Sequence, residues 1–143
     1  MQLMGRAETR KPRLANEYAF IERTGSLLPR SASSRNGVHE TDSELVEIGL
    51  PDALLAATTD TISEEIAAGL YTDPFEIGWV SVVASLSDLA AVGARPLGIL
   101  SSISMPGDWS DHSREQLLKG IGASLRAHST GSLGGDTNSG PIS

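Results

Sequence analysis

The stretch Ser85-Leu-Ser-Asp-Leu-Ala-Ala-Val-Gly-Ala-Arg-Pro96 constrains this chain more than any other, because it sets one acidic residue, Asp88, in an otherwise small and apolar helix. Asp73-Pro-Phe-Glu76 supplies the start: Asp73 as N-cap, Pro74 at the first helical position, Glu76 placed to complete a capping box. Gly93 and then Pro96 supply the stop. Run at about 100° per residue from Trp79, the pattern puts Val82, Val83, Leu86, Leu89 and Ala90 on one apolar stripe. Ser81, Ala84, Ser85 and Asp88 gather on the opposite side. One face packs, and the other is small and polar.

A lone aspartate on a helix is ordinarily a solvated surface residue. Two further stretches bear on Asp88. Thr58-Thr59-Asp60 closes an apolar run, and Gly134-Gly135-Asp136-Thr137 follows a second helical stretch, so three carboxylates stand where elements end or face a cleft. Hard cations such as Mg²⁺ take oxygen ligands, and a few protein carboxylates together with substrate phosphates suffice to hold them. Asp60, Asp88 and Asp136 could form such a site. Glycine lets backbone N–H groups approach an anion closely, which gives Gly134-Gly135 the physics of a phosphate-approach loop. Each motif also has a plain reading: Thr-Thr-Asp can cap a turn, and Gly-Gly-Asp can be one.

Composition excludes several classes. There is no cysteine, hence no disulfide framework, thiolate metal site or cysteine nucleophile. No Gly-x-x-x-x-Gly-Lys-Ser/Thr occurs, so this is not a Walker-type site. Aromatics are only 4% of the residues, so the core must be built mostly from Leu, Ile, Val and Ala. No apolar run approaches the ~20 residues a membrane span needs, and Met1 to Arg13 lacks the apolar centre of a secretory signal, which predicts a cytoplasmic protein. The net charge of -7 conceals an asymmetry: seven of the eleven basic residues precede Glu40. An acidic body argues against nucleic-acid binding. Residues 1–40 read as a basic polar leader, solvated and partly disordered, with Tyr18-Ala-Phe-Ile21 as its apolar cluster, docking on the body or on a neighbouring subunit.

From Asp42 the texture changes. Leu45, Val46 and Ile48 read as a strand, and Leu54 to Thr59 as a second, inner one. Leu97 to Ile103 reads as a third, ended by Pro106-Gly-Asp108. Ser113 with Gln116 predicts a capping box opening a second helix, with Leu117, Leu118, Ile121 and Leu125 on one side. Gly120 and Gly122 weaken that helix by roughly 1 kcal/mol each relative to Ala and suggest close helix-to-sheet contact. His112 and His128, without partners at ligand spacing, read as surface residues. Ser139 to Ser143 reads as the opening of another strand.

Thr58-Thr-Asp-Thr61, Asp73-Pro-Phe-Glu-Ile-Gly-Trp79, Leu86-Ser-Asp-Leu-Ala-Ala-Val-Gly-Ala-Arg-Pro96 and Gly134-Gly-Asp-Thr-Asn-Ser-Gly-Pro141, in that order, resemble the N-terminal ATP-binding half of the aminoimidazole ribonucleotide synthetase (PurM-like) superfamily. The likeness is greatest to its thiamine-monophosphate kinase group and covers about residues 42 to 143. It implies an α+β fold, a mostly antiparallel sheet backed by the two helices, with sheets pairing into a shared barrel in a homodimer. It implies ATP and Mg²⁺ as cofactors, with Thr58, Thr59, Gly134, Gly135 and Thr137 against the phosphates and Asp60, Asp88 and Asp136 on the metal. It also implies a second domain after residue 143, so residues 41–143 read as an ATP-binding domain of a small-molecule kinase or ATP-dependent synthetase, fragmentary or half-length.

The sequence departs from that pattern in two places. The family's Gly-Asp-Asp-Ala-Ala stretch has only Glu40-Thr-Asp-Ser-Glu44 as its counterpart, which makes Asp42 a further candidate metal ligand. The Glu-Gly-Val-His-Phe that follows Thr-Thr-Asp-Thr in thiamine-monophosphate kinases is replaced by Glu64-Glu-Ile-Ala-Ala68, so the acceptor is left open. The rival class is a non-catalytic dimerising or nucleotide-sensing half-domain.

Overall fold

The computed structural model describes residues 19, 20, 23, 27–37 and 40–143. In chain order the elements are β1 (Glu44–Glu47), β2 (Leu54–Ala57), a short α1 (Ser63–Ala67), α2 (Pro74–Ala91), β3 (Ile99–Met105), α3 (Asp111–Ala127) and β4 (Ser132–Ser139). Tyr18 and Ile21 lie outside the described residues, and Phe20 between them is exposed.

Helix α2 starts and stops as its sequence dictates. The Asp73 carboxylate accepts from the Glu76 N–H at 3.0 Å, with Pro74 at the first position, where no N–H is missed. At the other end Gly93 takes φ 70°, the Gly93 N–H reaches Ala90 O and the Ala94 N–H reaches Leu89 O, satisfying two carbonyls the helix leaves open. The buried stripe is Ile77, Gly78, Val82 and Leu86, with Leu89 packed beside it. Val83 is only half-buried and Ala90 is exposed, so the stripe is rotated toward Ile77 and Gly78.

Helix α3 begins one turn earlier than the Ser113 capping box predicts. Ser110 is the N-cap, its hydroxyl accepting from the Ser113 N–H at 3.1 Å, and Ser113 itself lies inside the first turn. The capping-box pattern fits Ser113 alone, but the extended backbone (φ -64°, ψ 155°) is at Ser110, which makes Ser110 the cap.

The two long helices pack backbone to backbone. A methyl group on Gly78 would lie 2.1 Å from Leu117 O, and one on Gly120 would lie 2.0 Å from Phe75 O. Gly120 therefore serves helix-to-helix contact, not the helix-to-sheet contact its position suggested. Gly122 meets only the end of the Arg126 side chain. The core is aliphatic: Ile62, Ile77 and Leu117 form one cluster, Val82, Leu86 and Leu125 a second, and Ile121 touches both. Ile103 and Met105 of β3 pack on the first cluster, and Ile99 on the second.

The α+β class holds, but the mostly antiparallel sheet does not. Among the described residues the strands form two pairs: β1 with β2 antiparallel, and β3 with β4 parallel. The β3–β4 connection runs through α3, and a helical crossover returns the chain in the same direction. Strand β2 is not an inner strand, since Leu54 and Leu55 are both exposed. Gly134 to Thr137 is not a loop but the centre of β4, all of whose residues are exposed. Nor is Ser139 to Ser143 a new strand: the chain turns at Gly140, and Ser143 exchanges backbone hydrogen bonds with Ser104 at 3.1 and 3.2 Å.

Candidate functional site

Thr58 follows the last residue of β2, and Asp88 sits in the last two turns of α2. Their side chains meet: the Thr58 hydroxyl is 2.7 Å from Asp88 Oδ2, both residues being half-buried. The same hydroxyl lies 3.3 Å from the backbone carbonyl of Asp42, just before β1. Its single proton is thus offered to two acceptors, and the shorter bond goes to the carboxylate, where charge strengthens it. Three of the predicted positions converge here, Asp42 contributing through its backbone.

The remaining candidates stand apart. Asp60 is exposed at the end of the Thr58-Thr59-Asp60 run, and its Oδ1 accepts from the next N–H, that of Thr61, at 2.7 Å. Thr59 is exposed. Asp136 is exposed on β4 and accepts from Asn138 Nδ2 at 2.9 Å. Thr137 pairs with Ile103 in the strand ladder. Gly134 and Gly135 take φ 135° and 155°, and a methyl group at Gly135 would lie 1.9 Å from Ser101 O. The demand for glycine at 135 therefore comes from the neighbouring strand.

Among the described residues no three His, Cys, Asp or Glu side chains are grouped so as to hold a metal ion. The side-chain donors that meet at one point are the Asp88 carboxylate and the Thr58 hydroxyl. The number of donors gathered at one point is too small to hold the ion unaided.

A cavity of about 300 Å³ opens between α1, α2, α3 and β3, lined by Asp60 and Thr61, by Ser81 and Ser85 of α2, by Ser101 of β3 and by the aliphatic core. Sequence reasoning placed Ser81 and Ser85 on the polar side of α2 without giving them a role. Their spacing of one helical turn was the available signal.

Residues 41–143 match the AIR synthase related protein, N-terminal domain. The thiamine-monophosphate kinase of Archaeoglobus fulgidus is 39% identical over 95 residues, which are 66% of this chain and 30% of that protein. That of Buchnera aphidicola subsp. Schizaphis graminum is 40% identical over 106 residues, 71% of this chain and 31% of that protein. The chain thus spans about a third of the length of these relatives. Among solved structures, AaThiL complexed with AMPPCP and TMP superposes with a TM-score of 0.67 over 95% of this chain and 41% of its own, at 19% identity. The thiamine-monophosphate kinase of Stenotrophomonas maltophilia K279a superposes at 0.51 over 88% and 39%, at 28% identity. The ordered motifs, the α+β fold and the extent of the match lead to one conclusion: this chain belongs to the family of the AIR synthase related protein N-terminal domain.

Proposed function

We propose that this chain is the nucleotide-binding part of an ATP-dependent, Mg²⁺-dependent phosphotransferase similar to thiamine-monophosphate kinase, acting on a small-molecule acceptor. The observation that carries the reading is the 2.7 Å contact between Thr58 and Asp88, which joins two motifs thirty residues apart in sequence. Likeness in fold to AaThiL, solved with the ATP analogue AMPPCP and with TMP, supports the same ligand class.

Phosphoryl transfer asks a protein chiefly for positioning and charge neutralisation. A bound Mg²⁺ would supply the neutralising charge on the phosphates and keeps several of its own waters, so one or two carboxylates are enough from the protein. Asp88 is the carboxylate we assign first, with Thr58 orienting it. Asp42, Asp60 and Asp136 are the further candidates, dispersed enough that nucleotide phosphates would have to link them. Thr59, Gly134, Gly135 and Thr137 are proposed to lie against those phosphates.

A homodimer with sheets meeting face to face belongs to the same proposal. It is supported by Leu97, Leu100 and Leu133, all more than 60% exposed on or beside the β3–β4 pair. A patch of that kind marks a surface meant to be covered. No helix among the described residues is long and apolar enough to cross a membrane.

Calorimetric titration with AMPPCP tests the reading. Binding is expected with Mg²⁺, to be lost when the metal is removed with EDTA, and to be abolished by Asp88→Asn in a protein that remains folded. Asn keeps an oxygen for the Thr58 hydroxyl while removing the charge. Wild-type nucleotide affinity in Asp88→Asn, or affinity indifferent to Mg²⁺, would refute the assignment. The dispersal of the carboxylates favours one second reading, a half-domain that senses nucleotide without transferring phosphate. Mg²⁺-dependent binding with no ATP turnover would select it.

A further inference from the structure

The matched family begins at residue 41, yet the segment just before it is tied into the candidate site. Residues 33–36 run along the outer edge of β1: Ser34 bridges Val46, the Arg35 N–H donates to Leu45 O at 2.8 Å, and the Glu47 N–H donates to Ser33 O at 2.9 Å. Arg35 pairs with Glu47, and Arg30 reaches Glu44 at 3.0 Å and the Asn36 carbonyl at 2.8 Å. Residues 30–36 of the basic leader are thus attached to the body, with 33–36 as a third, short partner of the β1–β2 pair.

Asn36 is the residue on which this attachment turns. It is 8% exposed, one of only three buried polar residues among those described, and its amide is used at both ends. Asn36 Oδ1 accepts from the Leu45 N–H at 2.8 Å, and Nδ2 donates to Thr41 Oγ1 at 3.3 Å. Thr41 Oγ1 in turn donates to Ser43 O. The turn carrying Asp42 is therefore held from both sides, at Thr41 and at Leu45. Asp42 presents its carbonyl to the Thr58 hydroxyl, and that hydroxyl bonds Asp88. A buried amide satisfied at both ends rigidifies what it touches, because either end left unpaired would carry its full desolvation penalty.

The geometry points to Asn36 as a positioning residue: it fixes the turn around Asp42, and through Thr58 it sets the orientation of the Asp88 carboxylate. The role ascribed to Asp88 rests on the function proposed above, whereas the linkage from Asn36 to Thr58 can be read without nucleotide.

A double-mutant cycle in the whole chain measures that linkage. Thr58→Val removes the hydroxyl and keeps the shape, and its effect on the unfolding equilibrium constant is read from urea titrations with and without Asn36→Ala. If Asn36 orients the partners of Thr58, the factor by which Thr58→Val changes that constant shrinks at least threefold in the Asn36→Ala background. The same factor is expected to be unchanged in Glu47→Ala, which breaks the Arg35 pair on the same leader without touching the turn. Should Asn36→Ala not fold, Thr41→Val takes its place, since Thr41 is exposed and lies on the same path one step nearer Asp42. A factor that stays within threefold of its original value overturns the proposal. An equal loss in Glu47→Ala also overturns it, because general loosening of the leader would then account for the effect. Either failure leaves the phosphotransferase reading standing, and an absence of nucleotide binding leaves this linkage standing.

Discussion

Replacing Gly78 with Ala should destabilise the protein, although the same change in an exposed helix would stabilise it. The added methyl carbon would lie 2.1 Å from Leu117 O and 3.0 Å from Ile121 N, and real methyl carbons essentially never come within 3.0 Å of a neighbour. The obstacle is backbone, which cannot swing aside as a side chain does, so α2 and α3 must part by at least the 0.9 Å that separates 2.1 from 3.0 Å. A radial gap of about 0.5–1 Å forfeits a quarter to a half of the attraction between atoms in contact. The loss would fall on Ile77 against Leu117 and on Val82 and Leu86 against Leu125. Overpacking typically costs about 1–3 kcal/mol, and an immovable carbonyl puts Gly78 at the upper end. Helix propensity returns about 1 kcal/mol, leaving a net loss of about 2 kcal/mol. At about 2–4 °C per kcal/mol, Tm should fall by about 4–8 °C. Gly122→Ala is the matched control, because its methyl group meets only Arg126 Nη1 at 3.3 Å, the end of a flexible side chain. It should gain up to about 1 kcal/mol. Urea unfolding followed by far-ultraviolet circular dichroism would read both as shifts in midpoint at constant slope. If Gly78→Ala were as stabilising as Gly122→Ala, the close helix contact would be refuted.

Asp73→Ala removes the carboxylate that accepts from the Glu76 N–H and should cost about 1 kcal/mol in the same titration. A loss below about 0.3 kcal/mol would mean that solvent caps this end equally well. Lys119, bonded to Glu115 at 2.9 Å, holds the Glu115 carboxyl below its usual range. The folded value is lowered, so the contribution is present above the ordinary glutamate range and is lost as pH falls through the folded value. The stability difference between the wild type and Glu115→Gln should therefore shrink toward acid pH, and a gap that widens there would contradict the pairing. Sedimentation velocity should show a homodimer at tens of micromolar, on the order of a weak dimer's affinity. Leu100→Lys, on the exposed side of β3, should dissociate it, and a wild-type monomer at that concentration would count against the face-to-face sheets.

The signals that decided helix α2 all lie within four residues of the positions they act on: Asp73 bonding Glu76, Pro74 opening the helix, Gly93 closing it. Such signals are legible because the chain answers them locally, whatever it later packs against. The aliphatic core was legible for a similar reason, since a chain with few aromatics has little else to bury. The start of α3 was at the limit of that reach: the capping box pointed to Ser113, and the backbone put the cap at Ser110. The tertiary structure alone decided the direction of β4, the exposure of β2 and the placement of Gly135, because a strand's hydrogen bonds are made with a partner that no local pattern names. Gly134-Gly135 had the composition of a phosphate loop and became a strand when Ser101 came to lie beside it. The contact of Thr58 with Asp88 and the burial of Asn36 were equally out of local reach. Each is a polar group whose partner is supplied by another element, and a side chain's chemistry states what it can bond but not what the fold will bring to it.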